Sequence, residues 1–149
     1  MTAPASTIRE YDISARSTDV FGRVLVSARN NHYVVDGPIQ NGCPGEAVTP
    51  SELLLSAVAG CAVELIAVIA KDEGKKVGAI SLVAHGTVDR GNQARTDRTV
   101  FNSLRLDITI TGTDKTTATE LVEGFKRRCP IFGTLSTAVA DTKVNVKVA

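Results

Sequence analysis

The chain has 149 residues, 43% of them hydrophobic, and its 17 basic and 16 acidic side chains leave a net charge of +1. That length and composition suit one domain, 1–149, with a sizeable core, and a nearly neutral chain with no basic block excludes nucleic acid as an expected partner. Three cysteines, behind a first segment MTAPAST that lacks the charged start and apolar run of a secretory leader, point to a cytoplasmic protein whose thiols are reduced or catalytic.

In chain order, residues 8–14, 20–28 and 32–36 favour strands, with Asn30-Asn31 as a hairpin turn. Residues 37–48, GPIQNGCPGEAV, are rich in glycine and proline and read as a loop. The stretch that follows, from 49 to 74, reads as one long helix. Thr49 caps it, Pro50 fits the first helical position and Glu52 completes a capping box. Lys71, Lys75 and Lys76 suit the negative end of the dipole, and Gly74 ends the helix. Leu54, Val58, Cys61, Leu65 and Val68 recur at steps of three and four, which predicts that they form the buried stripe. At 1.5 Å per residue the helix is about 36 Å long, apolar nearly all round, and interrupted by Ser56 and Glu64 short of a comfortable membrane span.

Two further strands are predicted at 77–90 and 101–111, with Gly91-Asn92 as a turn between them. In the second, Leu104, Leu106, Ile108 and Ile110 alternate with Arg105, Asp107 and Thr109, the pattern of an antiparallel sheet wet on one side. Asp114 caps a helix through 128, with Leu121, Val122 and Phe125 facing inward. Cys129-Pro130 breaks it, Pro130 opens a short helix to about 140, and a last strand covers 144–148. Strands, a long helix, strands, two helices and a strand make an α+β domain.

Two cysteines stand in chemically distinct places. Cys129 is the N-cap of the helix opened by Pro130, just after Arg127 and Arg128, and helix N-termini and nearby cations both favour thiolate over thiol. By its own surroundings it is either a reactive thiol or simply a capping residue. Cys61 lies three turns into its helix, beyond the reach of the dipole, and a cysteine on an apolar face is by itself an inert core residue. Reactivity there needs a cation brought from elsewhere. Glu64, at i+3 from Cys61, opposes ionisation of the thiol if it shares the site unpaired. Cys43, in Gly42-Cys43-Pro44-Gly45, reads as an incidental loop thiol or the partner of an alternative disulfide. His32 and His85 lack the Cys-x-x-Cys or His-x-x-x-His spacing of a zinc site, so no metal or cofactor is expected.

The run Pro50-Ser51-Glu52-Leu53-Leu54-Leu55, followed by small residues and Gly60-Cys61, resembles the central helix of the OsmC/Ohr family of thiol-dependent peroxidases. Arg128-Cys129-Pro130-Ile131 resembles the second half of that family's signature. The resemblance implies an OsmC-like α+β fold: an intertwined homodimer with antiparallel sheets wrapping the paired long central helices. It also implies reduction of organic hydroperoxides, with Cys61 as the peroxidatic and Cys129 as the resolving cysteine. A Cys61 sulfenic acid condenses to a Cys61–Cys129 disulfide, and an external dithiol, a lipoylated protein in the Ohr branch, restores both thiols. In that branch an arginine on an early strand holds the thiolate and a glutamate directly after the helix-opening proline anchors it. Ser51 occupies the glutamate's position here. Glu52, one residue on, resembles a branch whose motif reads Pro-x-Glu-Leu, and it serves either the site or the capping box. Arg23 is the nearest match for the arginine, and Arg29 the second. The departures at Ser51 and at the arginine leave a second reading open, in which the same fold binds a small apolar ligand such as a lipid without catalysis. A third is a stress protein whose cysteines merely pack.

Overall fold

The computed structural model describes residues 7–149, so residues 1–6, most of the segment read as lacking a secretory start, lie outside the described residues. The chain divides into two compact units, one ending at Leu53 and the other running from Leu54 to Ala149.

The first unit is a three-stranded antiparallel sheet in the order β1-β2-β3: Ile13–Ser17, Arg23–Ala28 and Asn31–Asp36. The first strand starts five residues later than expected, and β2 starts at Arg23 rather than at residue 20. The β2–β3 hairpin pairs Ala28 with Asn31, so its two turn residues are Arg29 and Asn30, one earlier than the sequence suggested. Arg29 takes φ 55°, the left-handed conformation that two-residue hairpin turns require. β1 is exposed along its whole length, β2 is half-buried, and burial is complete only at Val35 and Asp36, where β3 ends. Past β3 the chain folds back through a 3₁₀ turn, Ile39–Asn41. Gly37 N–H bonds to Gly22 C=O at 2.8 Å and Asp36 N–H to Val48 C=O at 3.1 Å.

The helix α1, Pro50–Asp72, leaves the first unit and enters the second. Both of its ends follow from local chemistry. Thr49 Oγ1 accepts from Glu52 N–H while the Glu52 carboxylate accepts from Thr49 N–H at 2.7 Å, a reciprocal capping box. At the other end Gly74 has φ 65°, its N–H reaches Lys71 C=O, and Lys75 N–H reaches Ala70 C=O, which is a Schellman motif.

In the second unit α1 is followed by β4 (Ile80–Thr87), β5 (Ser103–Ile110), α2 (Lys115–Arg128), α3 (Pro130–Ala138) and β6 (Asp141–Val148). The sheet order is β4-β5-β6. β4 and β5 are antiparallel, Leu82 opposite Ile108. β5 and β6 are parallel, Leu106 opposite Val144, a departure from the all-antiparallel sheet that alternation in β5 suggested. Alternation reports one wet face and says nothing of strand direction; α2 and α3 supply the long crossover that a parallel pair needs. Leu104, Leu106, Ile108 and Ile110 form the inner face, against Val58, Ala62, Ile66 and Ile69 of α1 and Leu121, Val122 and Phe125 of α2. Gly124 in α2 admits the closest approach: a Cβ there would lie 3.2 Å from Ile69 Cδ1.

The buried face of α1 is not the predicted one. Val58, Ala62, Ile66, Ile69 and Ala70 are its buried residues; Cys61, Leu65 and Val68 lie at the margin, and Leu54 is exposed. Apolar residues surround this helix, so periodicity had several stripes to choose from and packing selected a neighbouring one. By length and a mean hydropathy of 2.4, α1 is also able to cross a membrane, which the sequence reading did not grant it. Here one face of it is the core of the second unit.

Candidate functional site

Cys129 is fixed by two helices at once. Its N–H closes α2 on Phe125 C=O at 2.9 Å, and its Sγ caps α3 by accepting the Phe132 N–H at 3.3 Å. Pro130 at the first position of α3 forces the break between them. The rings of Phe125 and Phe132, with centroids 5.2 Å apart, pack together on either side of the junction. The cysteine is 3% exposed.

Cys61, on α1, is partly exposed, and its Sγ lies 2.7 Å from Cys129 Sγ. Sixty-eight positions of sequence separate the two thiols, so the tertiary fold alone brings them together. Closing to the ~2.05 Å of a disulfide takes a movement of well under an ångström. Burial pushes the Cys61 thiol up to about 12; the hydrogen bond and charge of the Cys129 sulfur, and then the charge of Glu64, add to the rise. Glu64 itself is exposed on α1. Within the second unit, then, Cys61 is held as a thiol, and its ionisation needs a compensating positive charge.

Arg23 begins β2. Its Nε and Nη2 donate to the two oxygens of Asp36 at 2.8 Å each, and Nη2 donates also to Glu46 at 2.7 Å. Hydrogen bonds to Asp36 and then to Glu46 raise the guanidinium's already high value, and the Asp36 carboxyl is held well below the usual carboxylate range, first by Arg23. Arg29 is exposed at its hairpin turn. Glu52 is engaged with Thr49, through both its N–H and its hydroxyl, and these bonds lower its carboxyl. Asp36 and Glu46 had no place in the sequence reading; the only hint was an acid closing the apolar run Val34-Val35.

Cys43 is half-buried, its sulfur packed on Gly22 and Gly37 so closely that neither has room for a Cβ. His32 Nδ1 lies 2.8 Å from Ser27 Oγ on the exposed hairpin, and His85 is exposed on β4. Among the described residues no group of three or more histidine, cysteine, aspartate or glutamate side chains is arranged to hold a metal ion.

An OsmC-like protein of Mycoplasma pneumoniae is similar in structure, with 21% identity, a TM-score of 0.77, and 95% of this chain and 96% of that one covered. An organic hydroperoxide resistance protein OsmC of Legionella pneumophila has 20% identity and a TM-score of 0.76, with 95% and 99% covered. An organic hydroperoxide resistance protein of Elizabethkingia anophelis has 17% identity and a TM-score of 0.79, with 96% and 99% covered. No curated protein matches the sequence. At these identities the solved structures speak for the α+β fold, two small sheets and three helices. The family itself is shown by a family model described as OsmC-like protein, which matches residues 43–144, a span holding all three cysteines: the chain belongs to the OsmC-like protein family.

Proposed function

We propose that the chain is a cytoplasmic thiol-dependent peroxidase that reduces organic hydroperoxides through Cys61 and Cys129. The observation that carries this reading is the 2.7 Å between the two sulfurs, one partly open and one buried. Access supports the division of roles. The Cys61 thiolate attacks a peroxide oxygen, the O–O bond breaks, the alcohol leaves with a proton and Cys61 becomes a sulfenic acid. The buried Cys129 sulfur, already at bonding range, then attacks the Cys61 sulfur and expels water to form the disulfide. A dithiol, such as that of a lipoylated protein, reduces it by exchange and is itself oxidised. Arg23 is the cation that family likeness assigns to the Cys61 thiolate, and the height to which burial lifts this thiol explains why one is needed. Glu52 enters this reading as a capping residue.

Leu54, Leu55, Phe101, Leu104, Leu135 and Val139 line a narrow, wholly apolar cleft. Leu54 lies two helical turns before Cys61, about 10 Å along the axis. The cleft, at about 10 Å³, has no room for a hydrocarbon chain. The preference for alkyl or fatty-acid hydroperoxides over hydrogen peroxide rests instead on the mostly apolar face of α1 around Cys61, which gains from burying one. Turnover with a dithiol is expected to be faster with cumene hydroperoxide than with hydrogen peroxide at equal concentration; the reverse order sinks the substrate assignment.

The apolar face of α1 around Cys61 also suits a second reading, a binding protein for a small apolar ligand. Its mark is a lipid retained in native mass spectra together with no peroxide-dependent turnover.

A further inference from the structure

Cys61 sits where the buried face of α1 meets the exposed one. One helical turn away its neighbours are Val58, buried, and Leu65, half-buried, on the inner side, and Ala57 and Glu64, both exposed, on the outer side. Ala57 carries only a methyl group and leaves the approach to the sulfur open. Glu64 brings a charge to that approach, with about 5–6 Å between Cβ atoms at i and i+3 of a helix. The next charged residues on α1 are Glu52 and Lys71, on the order of 14 Å along the axis from Cys61.

The Glu64 carboxylate is also unmatched. The other glutamates of the second unit, Glu73, Glu120 and Glu123, each meet a lysine, while Glu64 takes part in no hydrogen bond or ion pair among the described residues. Arg128, next to the second sulfur in sequence, turns to Asp72 at 3.7 Å. The charges that bear on the Cys61 thiol are those of the Cys129 sulfur and Glu64, and both hold it protonated. A lone carboxylate this close to a half-open sulfur acts also on whatever approaches it. Salt screens its field over about 8 Å at physiological ionic strength, so it is felt by groups charged near the reacting atom and not by a charge at the far end of a long chain. Resting on the reading that Cys61 is the thiol that reacts, we propose that Glu64 is a specificity-determining residue at Cys61, favouring neutral and cationic reactants over those with a negative charge near the reacting atom. Among peroxides this admits an alkyl hydroperoxide, or a fatty-acid one whose carboxylate lies far from the O–O bond, and disfavours a short hydroperoxy acid. Among reductants it disfavours thiols with a carboxylate close to the sulfur.

The experiment compares two methanethiosulfonates of similar size, one bearing a trimethylammonium group and the other a sulfonate. In each, the Cys61 thiolate attacks the sulfenyl sulfur, the S–S bond breaks and methanesulfinate leaves with the electron pair. Both reagents draw on the same thiolate, so the ratio of their rates removes any change in its abundance, and charges common to the compared chains cancel. Rates are read at Cys61 by peptide mass spectrometry, in full chains carrying Cys129→Ser so that the adduct persists. Glu64→Gln is expected to raise the anion-to-cation rate ratio about threefold at low salt, Glu64→Lys further, and Glu64→Asp little. In 1 M salt, where screening acts over about 3 Å, the ratio with Glu64 in place should rise toward that of Glu64→Gln, a readout that needs no variant at this position. A ratio that Glu64→Gln leaves unchanged, as when a second copy of the chain covers or pairs the carboxylate, overturns the proposal; with peroxide turnover intact it leaves the peroxidase reading standing. A Cys61 that takes up neither reagent overturns it as well. A shifted ratio in a chain that turns over no peroxide supports the selectivity and defeats the peroxidase reading.

Discussion

Removing the Glu52 carboxylate separates its two readings. As half of a capping box, Glu52→Ala is expected to cost about 1 kcal/mol of stability, the usual value of a cap, measured by denaturant unfolding, and to leave peroxide turnover unchanged. Loss of turnover at unchanged stability contradicts the capping assignment. Asp36 sets the acid end of the pH dependence. The Asp36 carboxyl is depressed in the folded chain by Arg23, so its contribution to stability is present above the unfolded value of about 4 and lost as pH falls below it. Melting temperature should therefore fall on the acid side, with a shallower acid limb in Asp36→Asn. A wild-type acid limb reproduced in Asp36→Asn contradicts this assignment. The caps at Thr49, Asp114 and Cys129 were legible because each involves residues three apart on one turn. The Asp36–Arg23 fork spans thirteen positions and rests on strand register, for which the sequence has no local signal.

At the scale of the element, α1 is the informative case. Its existence and both ends were plain from capping chemistry, but its buried face was not, since apolar side chains run round it. The face left uncovered has a pattern of its own: Ala57, Gly60 and Ala67 are small and exposed, with the charged Glu64 between the last two. Small residues in such a row let a second helix approach closely, and Leu54, 37% exposed, extends the apolar surface. The family resemblance implies a homodimer built on paired α1 helices, an expectation that can be measured. Light scattering during size exclusion should give twice the 15.7 kDa of one chain, and Gly60→Leu should shift the population toward monomer. A wild type that elutes as a monomer at micromolar concentration contradicts the pairing. In the sheet of the second unit, strand identity was legible from alternation, but the parallel direction of β6 was not. Direction is decided by the crossover through α2 and α3, not by the strand's own pattern.

For the whole molecule, the α+β class followed from the order of elements, while the topology came with the likeness between two short motifs and a known family. The juxtaposition of Cys61 and Cys129 belongs to this scale, since neither sequence distance nor helical period places two residues 68 positions apart in contact. The two local environments, moreover, disagree with the family about which sulfur acts first. From the sequence the helix N-cap position pointed to Cys129 as the reactive thiol, whereas access favours Cys61, because Cys129 is buried. Peptide mass spectrometry after one equivalent of cumene hydroperoxide, on the wild type and on Cys129→Ser, decides between them. The account predicts a Cys61–Cys129 disulfide in the wild type and a Cys61 sulfenic acid in the variant. Oxidation that begins at Cys129, or at neither cysteine, contradicts it.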